Sequence, residues 1–128
     1  LAGSIFSNPV DAAMLVSPKA ISATMRVLGK VPDIHMLVYH LGFHPISRWA
    51  PGRFSSPAFL KPVIDALIET RRSSNKPVLL ALCPAPDLGG MKEFLATQEA
   101  FVGAGFPVFH SLRQTAKAVA HVMAWKQA

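Results

Sequence analysis

The side chains most able to do chemistry are His40, His44, Cys83 and His110, with Arg48 and Arg53 between them. His40 and His44 follow one apolar run and Cys83 ends another. If those runs are neighbouring strands the three converge, and two imidazoles with a thiolate form a zinc-type ligand set. The His-x3-His pair has no helical face to align it and no fourth ligand beside it, so no metal is expected. Cys83 precedes Pro84-Ala85-Pro86 and has no histidine next to it in sequence and no acid to orient a base, so nucleophilic use is not expected. His110 reads as structural. His35 and His121 are expected to be hydrogen-bonded at partly buried positions. Arg48 and Arg53 are expected to be solvated or to touch a neighbouring domain rather than to grip a phosphate. Asp87-Leu88-Gly89-Gly90 fits an anion-binding helix start and a simple turn and cap equally well. Phe43, Trp49 and Phe54, aromatic residues in one loop, are expected to form a patch that docks on another domain rather than a base-stacking platform.

The elements that must position these groups alternate. Ile34 to Leu41, Val78 to Leu82 and Pro107 to Phe109 are short apolar runs rich in strand formers, each closely following a break signal. They predict buried parallel strands. A first helix begins at Ser17-Pro18, where Ser caps and Pro at the first position loses nothing, and ends at Gly29 before Val31-Pro32. A second opens the same way at Ser56-Pro57 and closes at Ser73-Ser74-Asn75; Pro62 kinks its first turn or marks its true start. The spacing predicts a third over about Gly90 to Val102, stopped by Gly103-Ala104-Gly105. The capping box Ser111-Leu112-Arg113-Gln114 opens a fourth, with Ala116, Val119, Ala120 and Met123 on one side. Strands alternating with helices make an α/β fold, three layers with a small, mostly parallel sheet flanked by helices. Ligands in such folds bind at the carboxyl edge of the strands. The loops there are Ser7 to Ser17, Leu41 to Ser56, Cys83 to Gly90 and Ser111.

The chain has 128 residues, 51% of them hydrophobic and 16% charged. That suits a single domain over residues 1–128 and excludes a disordered, charge-rich chain. No apolar run approaches the roughly 18 residues that cross a bilayer, so no membrane role is expected. Lys and Arg outnumber Asp and Glu by 13 to 7, but only Arg71 and Arg72 are adjacent. Without a basic stripe, nucleic acid is not an expected partner. One cysteine makes no internal disulfide, and a cytoplasmic setting is expected. The chain begins at Leu1 without an initiating Met or a signal-type segment, so it reads as part of something longer.

Asn8-Pro9-Val10-Asp11, the Ser-Pro helix start that follows, Met36-Leu37-Val38-Tyr39, Asn75-Lys76-Pro77-Val78-Leu79, and Ala104-Gly105-Phe106-Pro107-Val108-Phe109-His110-Ser111 occur in this order. Together they resemble the NDP-forming acyl-CoA synthetases, specifically their second flavodoxin-like, succinyl-CoA-ligase-type domain, over nearly the whole chain. The resemblance implies a domain of an acid–thiol ligase that is not catalytic as an isolated chain. Such an enzyme couples acyl-CoA thioester chemistry to nucleoside diphosphate phosphorylation through a phosphohistidine on another domain. This domain would lend a helix amino end to the phosphate, with Asn8, Asp11 and Ser17 as the implied phosphate-binding residues. CoA and ADP or ATP with Mg are implied for the parent enzyme and no cofactor for this domain. The implied partners are its CoA-binding, phosphohistidine and ATP-grasp domains. The family domain starts with further strands that do not precede Leu1, so the sheet is expected to lack its first strands and its edge to be open to a second copy of the chain.

Relatives in this family have glycines around the Asn-Pro-Val-Asp loop where this chain has Ser7, Ala12 and Ala13, and Cβ atoms hinder close approach of backbone to phosphate. The alternative is therefore a noncatalytic assembly or regulatory module that has lost phosphate binding. A small-molecule hydrolase using His40, His44 and Cys83 with a metal is a third reading.

Overall fold

The computed structural model describes residues 5–11, 17–43 and 50–128. His44, Arg48, Trp49, Ala12 and Ala13 lie outside them. At the amino end, β1 (Ile5–Phe6) and β2 (Val10–Asp11) pair antiparallel, Ile5 opposite Asp11 and Phe6 opposite Val10. The sequence predicts only a loop here. Ser7, Asn8 and Pro9 are turn formers, and three such residues suffice to return the chain on itself.

Among the described residues, helices and strands follow in alternation: α1 (Pro18–Lys30), β3 (Leu37–Gly42), α2 (Pro57–Ser74), β4 (Val78–Cys83), α3 (Leu88–Gly103), β5 (Val108–Phe109) and α4 (Leu112–Gln127). The sheet order is β3-β4-β5, all parallel. Leu37 stands opposite Val78 and Gly42 opposite Cys83, so the register runs unbroken along both strands. The architecture is the α/β layering that the alternation predicts, a small parallel sheet flanked by helices.

Three of these helices open on a side-chain cap; α2 does not open as expected, because the Ser56 hydroxyl donates to Arg53 O at 2.7 Å instead of capping the helix. Ser17 Oγ accepts the Ala20 N–H at 3.2 Å, Asp87 Oδ1 the Gly90 N–H at 2.8 Å, and Ser111 Oγ the Gln114 N–H at 3.1 Å. The Asp87 cap starts α3 two residues before the expected Gly90, and it decides the Asp87-Leu88-Gly89-Gly90 segment in favour of turn and cap. Asn75 ends α2 with φ at 55°, in the left-handed region that asparagine tolerates. Pro62 neither starts α2 nor breaks it. It sits inside the helix on the exposed side, where the carbonyl it leaves without an N–H donor belongs to exposed Ala58 and can be hydrated.

The core lies mainly between one face of the sheet and the first three helices. Leu37, Leu41, Val78, Leu80 and Leu82 point to that face and meet Ile21 and Met25 of α1, Leu60, Val63 and Leu67 of α2, and Phe94 and Phe101 of α3. Phe43 and Phe54 join them at 0% and 2% exposure, which corrects the expected docking patch. Their rings pack edge-on against Phe94 and Phe59, with centroids 5.7 and 4.7 Å apart. The apolar area of two phenylalanines is better spent in the core than on a surface, and both rings turn inward. His35 and His121 depart from expectation too: both are exposed, His35 ahead of β3 and His121 on the outer side of α4. Among the described residues no helix is long and apolar enough to cross a membrane.

Candidate functional site

Helices α1 and α2 run side by side in the same direction. Arg26 binds Glu69 through its Nη2 at 2.8 Å, Gly29 lies against Thr70 and Ser74, and Lys76 Nζ donates to the Val31 carbonyl. Close packing at Gly29 depends on its lacking a side chain, since a Cβ there would stand 3.1 Å from Thr70 Cγ2. Both helices therefore end near the beginning of the strands, where Leu37 N–H donates to Pro77 O. Both begin at the opposite, carboxyl rim. With a rise of about 1.5 Å per residue, α1 starts about 12 Å above the Arg26–Glu69 pair and α2 about 18 Å above it, so the mouth of α1 is recessed by about 6 Å.

These two mouths share an electrostatic character. In α1, Pro18 has no N–H, Ala20 is capped by Ser17 Oγ and Ile21 by Ser17 O. Lys19 is left as the first-turn N–H without an acceptor in the helix. In α2, Pro57 has no N–H, and Phe59 and Leu60 both donate to Ser56 O, so Ala58 holds the equivalent position. Neither first turn contains an acidic residue, and Lys19 and Arg53 add positive charge. Helix α3 opens on the same rim, but the Asp87 carboxylate already occupies its amino end. Helix α4 also opens on this rim without an acid in its first turn, its Leu112 and Arg113 N–H groups without an acceptor in the helix, so three of the rim's helix starts can accept an anion and that of α3 is plugged by its own cap.

The loop before α2 is held by a residue that motif reading passes over. Glu93 of α3 is buried, and its Oε1 accepts the N–H groups of Phe54 at 2.8 Å and Ser55 at 3.3 Å. Thr97 Oγ1 reaches Phe54 O at 3.4 Å. The sequence does carry a signal: Gly90, Glu93, Phe94, Thr97 and Phe101 form the buried stripe of α3, and a glutamate on such a stripe needs a partner.

Of the residues implied for phosphate binding, Ser17 caps α1 at the rim, while Asn8 is exposed in the turn between β1 and β2 and Asp11 is exposed at the end of β2. Residues 12–16, between Asp11 and Ser17, lie outside the described residues. Asn8 and Asp11 are joined to each other by the hairpin and not by any described bond to Ser17.

His40 and Cys83 do come together, on the sheet face opposite the main core. His40 stands opposite Ala81, and Cys83 one pleat further along, with His40 Nε2 3.3 Å from Cys83 Sγ. Burial pushes the Cys83 thiol above its ordinary pKa, which works against its activation as a thiolate. His44 is outside the described residues, and among the described residues no three His, Cys, Asp or Glu side chains gather as a metal site. His110 Nε2 lies 2.6 Å from Gln98 Oε1, and its ring packs edge-on to Phe94, so this histidine ties β5 to α3. Arg53 lies over the Phe54 ring at 5.8 Å.

Comparison with protein-family models, with curated proteins and with solved structures finds no match to this chain.

Proposed function

We propose that this chain is a flavodoxin-like, succinyl-CoA-ligase-type domain of an NDP-forming acyl-CoA synthetase. In this reading it works with companion domains in the cytoplasm and lends the amino end of α1 to a phosphate site built between domains. One observation carries the reading: α1 and α2 open side by side on the carboxyl rim with the Lys19 and Ala58 N–H groups unclaimed within their helices and no acidic residue in either first turn. A phosphoryl group held at the α1 mouth takes the Lys19 N–H and the Lys19 ammonium, and the amino end of α2 adds its positive field from a step further out. Ser17 orients the α1 mouth by capping Ala20, and Glu93 fixes the loop that carries the α2 mouth. Asn8 and Asp11 enter this reading only through the resemblance. CoA, the nucleotide and magnesium belong to the companion domains, as does the phosphorylated histidine.

A second reading has its own support. Ser17 Oγ takes one of the few donors of α1, leaving a single backbone N–H there, and a site this sparse suits an assembly or regulatory module that has lost phosphate binding. Amide-resolved NMR of the chain, titrated with inorganic phosphate and then with CoA, separates the two. The ligase-domain reading expects phosphate to shift the Lys19 and Ala58 amides together, while the Gly90 amide, already bonded to Asp87, stays still. No movement of Lys19 and Ala58 up to millimolar phosphate, or equal movement at every helix start, overturns it in favour of the assembly module.

A further inference from the structure

The two faces of the sheet are covered unequally. The second face carries Val38, His40, Leu79, Ala81, Cys83 and Phe109, and among the described residues α4 is the helix that packs on it, against β4 and β5. Toward β3 the cover stops, leaving a groove of about 500 Å³ between Met36 and Val38 on one side and Leu112, Ala116, Val119 and Ala120 on the other. The outer edge of β3 has no strand paired to it among the described residues. Parallel sheets are normally buried on both faces, so this face has room for one more helix beside α4.

Charge says which kind. No Asp or Glu occurs after Glu99, and α4 carries Arg113, Lys117 and Lys126. Helical periodicity puts Arg113 and Lys117 on the flank of α4 that adjoins Ala116 and Ala120, the outer lip of the groove. Neither has an ion-pair partner among the described residues. A second copy of this chain would bring the same cations to the same lip, and like charges disfavour it. A lipid surface is flat, whereas the apolar floor here is recessed between a strand and a helix.

We propose that this groove is the docking site of an amphipathic helix from a partner protein, apolar on the side that enters between β3 and α4 and acidic on the flank that meets Arg113 and Lys117. The apolar stripe supplies contact area and the glutamates or aspartates supply orientation and choice of partner. The inference does not rest on the mouths of α1 and α2, whose residues do not line the groove.

The test uses a synthetic helical peptide of about four turns with a leucine stripe and glutamate flanks, and a twin with lysine flanks. Fluorescence anisotropy should show the acidic peptide bound at least about tenfold more tightly than its twin, with the difference shrinking as salt is raised. Ala120 is exposed, so Ala120→Glu should leave the fold intact by circular dichroism and abolish binding. Arg113→Glu with Lys117→Glu should reverse the preference between the twins. Equal binding of both peptides, or of neither, overturns the proposal. So does sedimentation showing a dimer that Ala120→Glu dissociates, which would make a second copy the occupant. Flotation of the chain with phosphatidylserine vesicles, lost in Arg113→Glu/Lys117→Glu, overturns it in favour of a lipid surface.

Discussion

Removing the Glu93 carboxylate should loosen the rim at the mouth of α2 before it unfolds the molecule. The side chain is 6% exposed and accepts two backbone N–H groups, one at 2.8 Å from buried Phe54 and one at 3.3 Å from half-buried Ser55. A hydrogen bond to a charged acceptor contributes about 1.5–3 kcal/mol, and an orphaned buried donor costs about 1–3 kcal/mol. These are two views of the same loss and are not added. Counting the Phe54 bond fully, the longer Ser55 bond at about half, and the missing methylene contacts of the side chain, Glu93→Ala should cost about 3–4 kcal/mol. Glu93→Gln keeps the volume and one acceptor for Phe54 and should cost about 1 kcal/mol. Urea denaturation measures both: for a slope of about 1.5 kcal/mol/M, the alanine variant's midpoint falls by about 2 M with the slope unchanged. Amide hydrogen exchange gives the local readout, with Phe54 and Ser55 losing more protection than Leu80 at the centre of the sheet. A loss under about 1 kcal/mol for Glu93→Ala, equal losses in both variants, or undiminished protection at Phe54 would refute the clamp.

Two further expectations come from titrating groups. Burial beside Phe101 raises the Tyr39 phenol beyond the alkaline range, so the folded state holds a proton that the unfolded chain releases near pH 10. A raised folded pKa means that its stabilising contribution is complete below about pH 10 and is lost as the pH climbs above it. Tyr39 is the single tyrosine, so tyrosinate absorbance should appear together with the loss of the circular dichroism signal; ionisation near pH 10 in a still-folded chain contradicts this. The Cys83 thiol, raised by burial, should react with iodoacetamide more slowly than free cysteine at neutral pH, and its rate should rise only in more alkaline solution than for free cysteine. Faster reaction, reduced by His40→Ala, would mean that His40 activates the sulfur.

What could be read from the sequence was what local chemistry decides. Ser17 and Ser111 mark helix starts because a cap and its helix lie within four residues of each other, Ser56-Pro57 marks one through the proline alone, and the parallel strands follow from apolar runs between break signals. Decisions taken across the chain escaped it. Phe43 and Phe54 look like surface residues in a loop until α3 supplies Phe94 to the one ring and Glu93 to the other's backbone, which hold both inward. His40 and Cys83 could be assigned to adjacent strand ends, but their contact depends on a register that pairs Leu37 with Val78, which no residue type announces. Gln114 shows both sides of the boundary: it completes the expected cap on α4, but its side chain accepts from His110 N–H, one residue earlier than a capping box requires.

The rim and the groove also answer to different physics, which keeps the two proposals separable. At the rim, charge is concentrated by helix geometry and the apolar core behind it is closed, so an anion there changes local amides and little else. In the groove, apolar surface is open on the face that α4 covers among the described residues, and the charges merely border it. Ala120 is on the far face of the sheet from Phe59 and Ile21, the residues that root α2 and α1 in the core. A carboxylate placed at Ala120 should therefore leave the Lys19 and Ala58 amides where they are. Loss of Ser17 Oγ should likewise leave peptide binding untouched. If either substitution moved the other site, the sheet would be transmitting strain between its faces, and the two surfaces would have to be read as one.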